Sequence, residues 1–110
     1  FGAVYRSRHP ALDVDVAVKL IDVHALATDP ARVLAEARLM ARLDHPNLLR
    51  VLDAGTSDAW VYLVLELMDG GSCKSLRAQS PAALLDAARQ LLSGVQALHD
   101  ARVLHRDIKP

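Results

Sequence analysis

The sequence predicts an α+β fold, a small mixed sheet with one helix among its strands that leads into a helical lobe. Three observations carry that prediction. Residues 13–21 (DVDVAVKLI) alternate and are rich in β-branched side chains, and two later runs, 47–55 and 60–67, repeat the strand character. Two helix-start signals, Asp29-Pro30 and Ser80-Pro81, each open a stretch with apolar residues at helical spacing. The order of these segments, strands on either side of one helix and then a long helix, suits a small mixed sheet followed by a helical lobe.

Taken in order, FGAVY (residues 1–5) is a strand-like run interrupted by a glycine. In 13–21, Ala17 and Lys19 share one strand face while Val16, Val18 and Leu20 share the other, so a lysine stands in mid-strand. Residues 28–43 form a helix in which Asp29 is the N-cap, Pro30 opens the first turn, and Leu39, Met40 and Leu43 continue the apolar stripe. Glu36 lies inside that helix. Runs 47–55 and 60–67 pair as an antiparallel hairpin around a turn at 55–58. DGGS (69–72) breaks the pattern as a short linker. From Ser80 a core helix spaces Leu84, Leu85, Ala88, Leu91, Leu92, Val95 and Leu98 along one face, and a polar loop, HRDIKP (105–110), follows it. There is no internal repeat and no low-complexity block.

Composition narrows the function classes. The 110 residues are 52% hydrophobic, enough for one small core. Thirteen basic residues balance thirteen acidic ones, so no whole-molecule field draws the chain to nucleic acid or to an anionic membrane. Any anion must be held by local geometry. Cys73 is the only cysteine, without metal-ligand spacing to a second Cys or His, which suits a reducing, cytoplasmic setting. No apolar run nears the roughly 20 residues needed to span a bilayer. Phe1 opens the chain without an initiator methionine, so the N-terminus reads as a cut.

Several residues invite a chemical role. Gly2 in FGAVY is a weak signal, equally a turn or a bulge. In VAVK, Lys19 shares its face with the small Ala17, which leaves room for a flat ligand beside an ammonium group; a solvated strand lysine is the plainer alternative. Glu36 supplies a helical carboxylate that could neutralise Lys19 and aim its amine at a phosphate. An exposed ion pair contributes under about 1 kcal/mol, so positioning is a better reason for such a pair than stability. HRDIKP crowds a histidine, an arginine, an aspartate and a lysine into one loop, which on its own could be a charged surface turn. His9, His24 and His99 suit solvation or capping, His45 a structural hydrogen bond in the turn after the first helix, and Trp60 the edge of the hairpin.

Gly2 and Val4, Lys19, Glu36 and HRDIKP occur in an order and spacing that resemble the N-terminal part of a eukaryotic-type protein kinase domain of the Ser/Thr type, ending in its catalytic loop. The segment HPNLLRVLDAG (45–55) is similar to the family's link from the helix into the next strand. The resemblance implies a protein-kinase-like α+β fold, with residues 1–68 as an N-lobe of a small antiparallel sheet and one helix, and 69–110 as the start of a helical C-lobe. It implies ATP-dependent transfer of a phosphoryl group to Ser/Thr hydroxyls of a protein substrate, with ATP and Mg²⁺ as the ligands. Neither nucleic acid nor membrane contact is expected of this segment.

Residue by residue, the resemblance places Gly2 at the end of the glycine-rich loop and Val4 and Ala17 over the adenine. Lys19 falls on the phosphates, with Glu36 as its orienting ion-pair partner. Leu65 stands at the gatekeeper position. The Glu66 carbonyl and the Met68 N–H and carbonyl meet the adenine edge through main chain, so side-chain identity should matter little there. Ser72 falls beside the ribose, and Cys73 beneath the base. Met40 and Val51 match an internal apolar column stacked on His105. Asp107 matches the residue that accepts the hydroxyl proton, Lys109 the one that reaches the γ-phosphate, and Arg106 a site that meets a phosphorylated activation loop. The lysine in the loop favours Ser/Thr substrates. The asparagine and the Asp-Phe-Gly segment that hold the metal are expected beyond Pro110, so these 110 residues alone should be inactive and the long helix should expose apolar surface. A pseudokinase or scaffold module is the alternative.

Overall fold

The computed structural model describes residues 2–25, 27 and 29–103. Its elements are β1 (Gly2–His9), β2 (Val14–Asp22), α1 (Pro30–Ala41), β3 (Val51–Ser57), β4 (Trp60–Glu66), a 3₁₀ helix (Cys73–Ala78) and α2 (Pro81–Asp100). The strands form one antiparallel sheet in the order β1-β2-β4-β3. This is the predicted α+β arrangement, a four-stranded antiparallel sheet followed by helices. Two compact units are drawn from it, one from Phe1–Asp44 with Leu49–Met68, the other from His45–Leu48 with Asp69–Pro110.

In the first unit, the β1–β2 hairpin is closed by a turn in which Asp13 takes a positive φ of 53°, a conformation aspartate tolerates better than most residues. The Asp13 N–H donates to the His9 carbonyl at 2.8 Å, and the Leu12 N–H to His9 Nδ1 at 3.1 Å. His9 is thus a turn cap. Cross-strand ion pairs flank the turn: Arg6 to Asp15 at 2.6 Å, and Arg8 to Asp13 at 3.0 Å and to Asp15 at 3.3 Å. β3 and β4 turn at Asp58, φ 51°, the last residue of the turn the sequence placed at 55–58; Gly55, Thr56 and Ser57 remain paired in β3. α1 starts where Asp29 accepts the Ala31 N–H at 3.0 Å, with Pro30 in the first turn. Its Val33 and Leu34 pack with Leu63 on a buried cluster of Ile21, Val23 and Val61. Each such fully buried aliphatic side chain contributes about 1.5–3 kcal/mol.

In the second unit, Ser80 caps α2 by accepting the Ala83 N–H at 3.2 Å, and Pro81 opens the helix. Residues 47–50 were expected to begin a strand, but β3 starts at Val51 and residues 45–48 pack with α2. His45 explains why. Its Nδ1 accepts the Asn47 N–H at 3.0 Å, and its Nε2 lies 3.2 Å from Ser93 Oγ. Asn47 donates to Gln90 at 3.2 Å, and Gln90 to Asp86 at 2.8 Å, a polar chain along successive turns of α2. Gly94 is the close-approach point, since a Cβ there would stand 2.6 Å from the Asn47 carbonyl oxygen.

The apolar stripe of α2 is only partly covered. Leu98 and Gly94 are buried, whereas Leu84, Leu85, Leu91 and Leu92 are 41–67% exposed among the described residues. The sequence also missed the 3₁₀ helix, which begins where Ser72 Oγ accepts the Lys74 N–H at 3.4 Å.

Two outcomes follow from this packing. Gly94→Ala, which would ordinarily strengthen a helix, will instead destabilise the full-length protein by about 1–3 kcal/mol in urea unfolding, because the added methyl meets main chain. Asp15 is held below its ordinary value near 3.8 by hydrogen bonds from Arg6, then from Arg8. Its contribution is therefore present above that value and lost as pH falls through the lowered folded value. Asp15→Asn will flatten the acid limb of the stability-against-pH curve, measured by thermal unfolding.

Candidate functional site

The face of the sheet that meets α1 carries Ile21, Val61 and Leu63, so it also carries the residues two and four positions from Ile21 along β2, Lys19 and Ala17. Pairing extends this face to the neighbours. Val4 stands opposite Lys19 and Arg6 opposite Ala17 on β1; Leu63 stands opposite Lys19 and Leu65 opposite Ala17 on β4. Val51 lies opposite Leu65 and is buried. Four predicted site residues, Val4, Ala17, Lys19 and Leu65, are thus brought to one face, the helix-facing one. Gly2 lies at the start of β1 opposite Ile21, and a Cβ there would collide with the Leu20 carbonyl, so only glycine fits this approach.

Glu36 follows Val33 by three positions and sits, exposed, on the flank of the α1 stripe that packs on this face. Lys19 and Glu36 therefore lie on the same side of the sheet, but the two are not paired here. Among the described residues the ion pairs are those of Arg6 and Arg8 with Asp13 and Asp15, and none joins Lys19 to Glu36. On the opposite flank of α1, Leu34, Ala37, Arg38 and Ala41 line a pocket of about 260 Å³ with residues 51–54 of β3. Met40 is half-buried.

Glu66 closes β4, and Met68 beyond it is 70% exposed. The sequence assigns Glu66 a main-chain role, and the structure adds a bond made by its side chain. Its N–H donates to the Arg50 carbonyl at 3.1 Å, while its carboxylate Oε1 accepts the Arg50 N–H at 2.8 Å. The one available signal was a carboxylate at the end of the apolar run WVYLVLE. Ser72, expected beside a ribose, belongs to the second unit and caps the 3₁₀ helix, its carbonyl also accepting the Ser75 hydroxyl at 3.0 Å. Cys73 is exposed. Arg106, Asp107 and Lys109, with His105, lie outside the described residues. Among the described residues no group of three or more His, Cys, Asp or Glu could hold a metal ion, and no helix is long and apolar enough to cross a membrane.

With this geometry in place, comparison with known proteins places the chain in a family. A sequence model of the protein kinase domain matches residues 1–110. Serine/threonine-protein kinase pkn2 of Myxococcus xanthus is 35% identical over 114 residues, which cover 99% of this chain and 14% of that protein. Serine/threonine-protein kinase PknL of Mycobacterium tuberculosis is 35% identical over 115 residues, 99% of this chain and 29% of its own length. A calcium/calmodulin-dependent protein kinase type 1 from Macrobrachium nipponense is 36% identical over 101 residues, 86% of this chain and 29% of that protein. The chain spans less than a third of the length of these relatives. It belongs to the protein kinase domain family.

Proposed function

We propose that the protein carrying this chain transfers the γ-phosphoryl group of ATP to serine or threonine hydroxyls of a protein substrate, in a cytoplasmic setting, with residues 1–68 as the N-lobe and 69–110 as the start of the C-lobe. The observation that carries this reading is the sheet face itself. Val4, Ala17 and Leu65 form an apolar floor, with Ala17 small enough to admit a flat base, and Lys19 stands beside them. Lys19 is partly exposed and enters none of the ion pairs among the described residues, and in this reading its amine goes to a phosphate.

In this reading Val4 and Ala17 flank the adenine, Leu65 limits the depth of the base, and main-chain groups of Glu66 and Met68 meet its edge. Gly2 lets β1 approach closely enough to cover the phosphates. Lys19 holds the phosphates, and Glu36 steadies Lys19 once the pair closes. Ser72 reaches the ribose. The substrate hydroxyl oxygen attacks the γ-phosphorus as the bond to the β-γ bridging oxygen breaks, and Asp107 takes the hydroxyl proton while ADP carries the bridging oxygen away. Lys109 offsets charge on the γ-phosphate, and Arg106 meets a phosphorylated segment in the regulated form. Mg²⁺ would offset charge on the phosphates. Its ligands are expected beyond Pro110.

A second reading, a pseudokinase or scaffold module in which nucleotide only stabilises the fold, has one observation on its side: Lys19 and Glu36 do not meet in this conformation. Phosphotransfer from labelled ATP to a Ser/Thr peptide by the full-length protein separates the two. Asp107→Asn will lower kcat by about 10²- to 10⁴-fold, the usual contribution of a positioned base. Lys19→Met will also depress transfer. Wild-type activity no higher than that of Asp107→Asn would favour the scaffold.

A further inference from the structure

We propose that the Glu66 side chain is a positioning residue for base recognition: by taking the Arg50 N–H onto its own carboxylate, it keeps its main-chain carbonyl available to the exocyclic amine of adenine. The inference rests on the nucleotide reading above and deepens it. Where two antiparallel residues exchange both bonds, each N–H goes to the other's carbonyl. Arg50 and Glu66 come next in register after Val51 and Leu65, and half of that exchange is present, the Glu66 N–H donating to the Arg50 carbonyl at 3.1 Å. The reciprocal bond is diverted. The Arg50 N–H donates at 2.8 Å to Glu66 Oε1 instead of to the Glu66 carbonyl.

A carboxylate suits this diversion because a charged acceptor competes well with a neutral carbonyl for the same N–H. The place is also right. Glu66 is the last residue of β4, the ladder ends with it, and Met68, the other main-chain contact assigned to the base, follows two residues later in exposed chain. A carbonyl committed to Arg50 would be a poor acceptor for a ligand donor at the same edge. Removing the carboxylate leaves the Arg50 N–H with its ordinary ladder partner, the Glu66 carbonyl. Glutamine keeps a side-chain oxygen at the same reach, and proline at position 50 removes the competing N–H altogether.

The test is equilibrium binding of ATP and of inosine triphosphate, whose base carries a carbonyl where adenine carries the amine, to the full-length protein without acceptor substrate. Wild type is expected to prefer ATP. Glu66→Ala will lose about two- to tenfold of that preference, the value of one neutral hydrogen bond, with inosine triphosphate affinity unchanged. Glu66→Gln will keep the preference, and Arg50→Pro combined with Glu66→Ala will restore it. Equal weakening of both nucleotides in Glu66→Ala, or failure of the double variant to restore discrimination, overturns the inference. Should Glu66→Ala not fold, the double variant decides alone: wild-type preference supports the inference and its loss overturns it. A wild type that transfers phosphate but binds both nucleotides equally sinks this inference and leaves the proposed function standing, whereas one that binds neither sinks both.

Discussion

Lys19 faces α1 because β2 is held in one register by two neighbours at once. Side chains alternate along a strand, so a slip of a single residue would carry Ala17 and Lys19 to the far face and bring Val16 and Val18 to the helix. Pairing with β1 on one edge and β4 on the other, along nearly the full length of β2, makes that slip costly. The burial of Ile21 against Val61 and of Val23 beside them resists it too, since a shift would expose this apolar group. The same constraint therefore builds the core of the first unit and aims the one lysine of the strand.

The helix that meets this face leaves a gap along one flank. Val33 and Leu34 anchor α1, but the flank away from Glu36 borders a pocket of about 260 Å³ lined partly by Ala37, Ala41 and Ala54. Alanine methyls fill little space, and atoms without neighbours across a void gain no dispersion energy there. On that flank Leu34 and the buried Ala37, not the small side chains around the pocket, resist a roll of the helix. Glu36 stands on the other side of the stripe, where such a roll would change its distance from Lys19.

Much of the fold was legible because its signals are local. Asp29-Pro30 and Ser80-Pro81 cap α1 and α2 in the structure as the sequence implied, and the alternation in 13–21 gave both the strand and its two faces. What stayed hidden depended on distant partners. Nothing in NLLR marks it as other than strand until His45 and Asn47 find Ser93 and Gln90, more than forty residues on. The leucines of α2 satisfy helical periodicity equally well whether covered or exposed. In the candidate site, the shared face of Val4, Ala17, Lys19 and Leu65 follows from alternation plus pairing. The bond from the Arg50 N–H to the Glu66 carboxylate does not, because side-chain substitution for a backbone acceptor leaves no periodic trace. Asp107, Lys109 and Arg106 rest on their motif, outside the described residues.

Residues 45–48 are sewn to α2 although they sit in sequence between α1 and β3. The main chain therefore passes between the two units three times, after Asp44, Leu48 and Met68. No single cut yields the sheet-bearing unit as a freestanding module. A segment stopped at Met68 would keep His45 and Asn47 but strip them of Ser93 and Gln90, leaving polar groups to find water. Recombination between distant homologues would meet the same obstacle, for an exchanged sheet must bring a connector that matches the recipient's long helix, glycine for glycine at the point of closest approach.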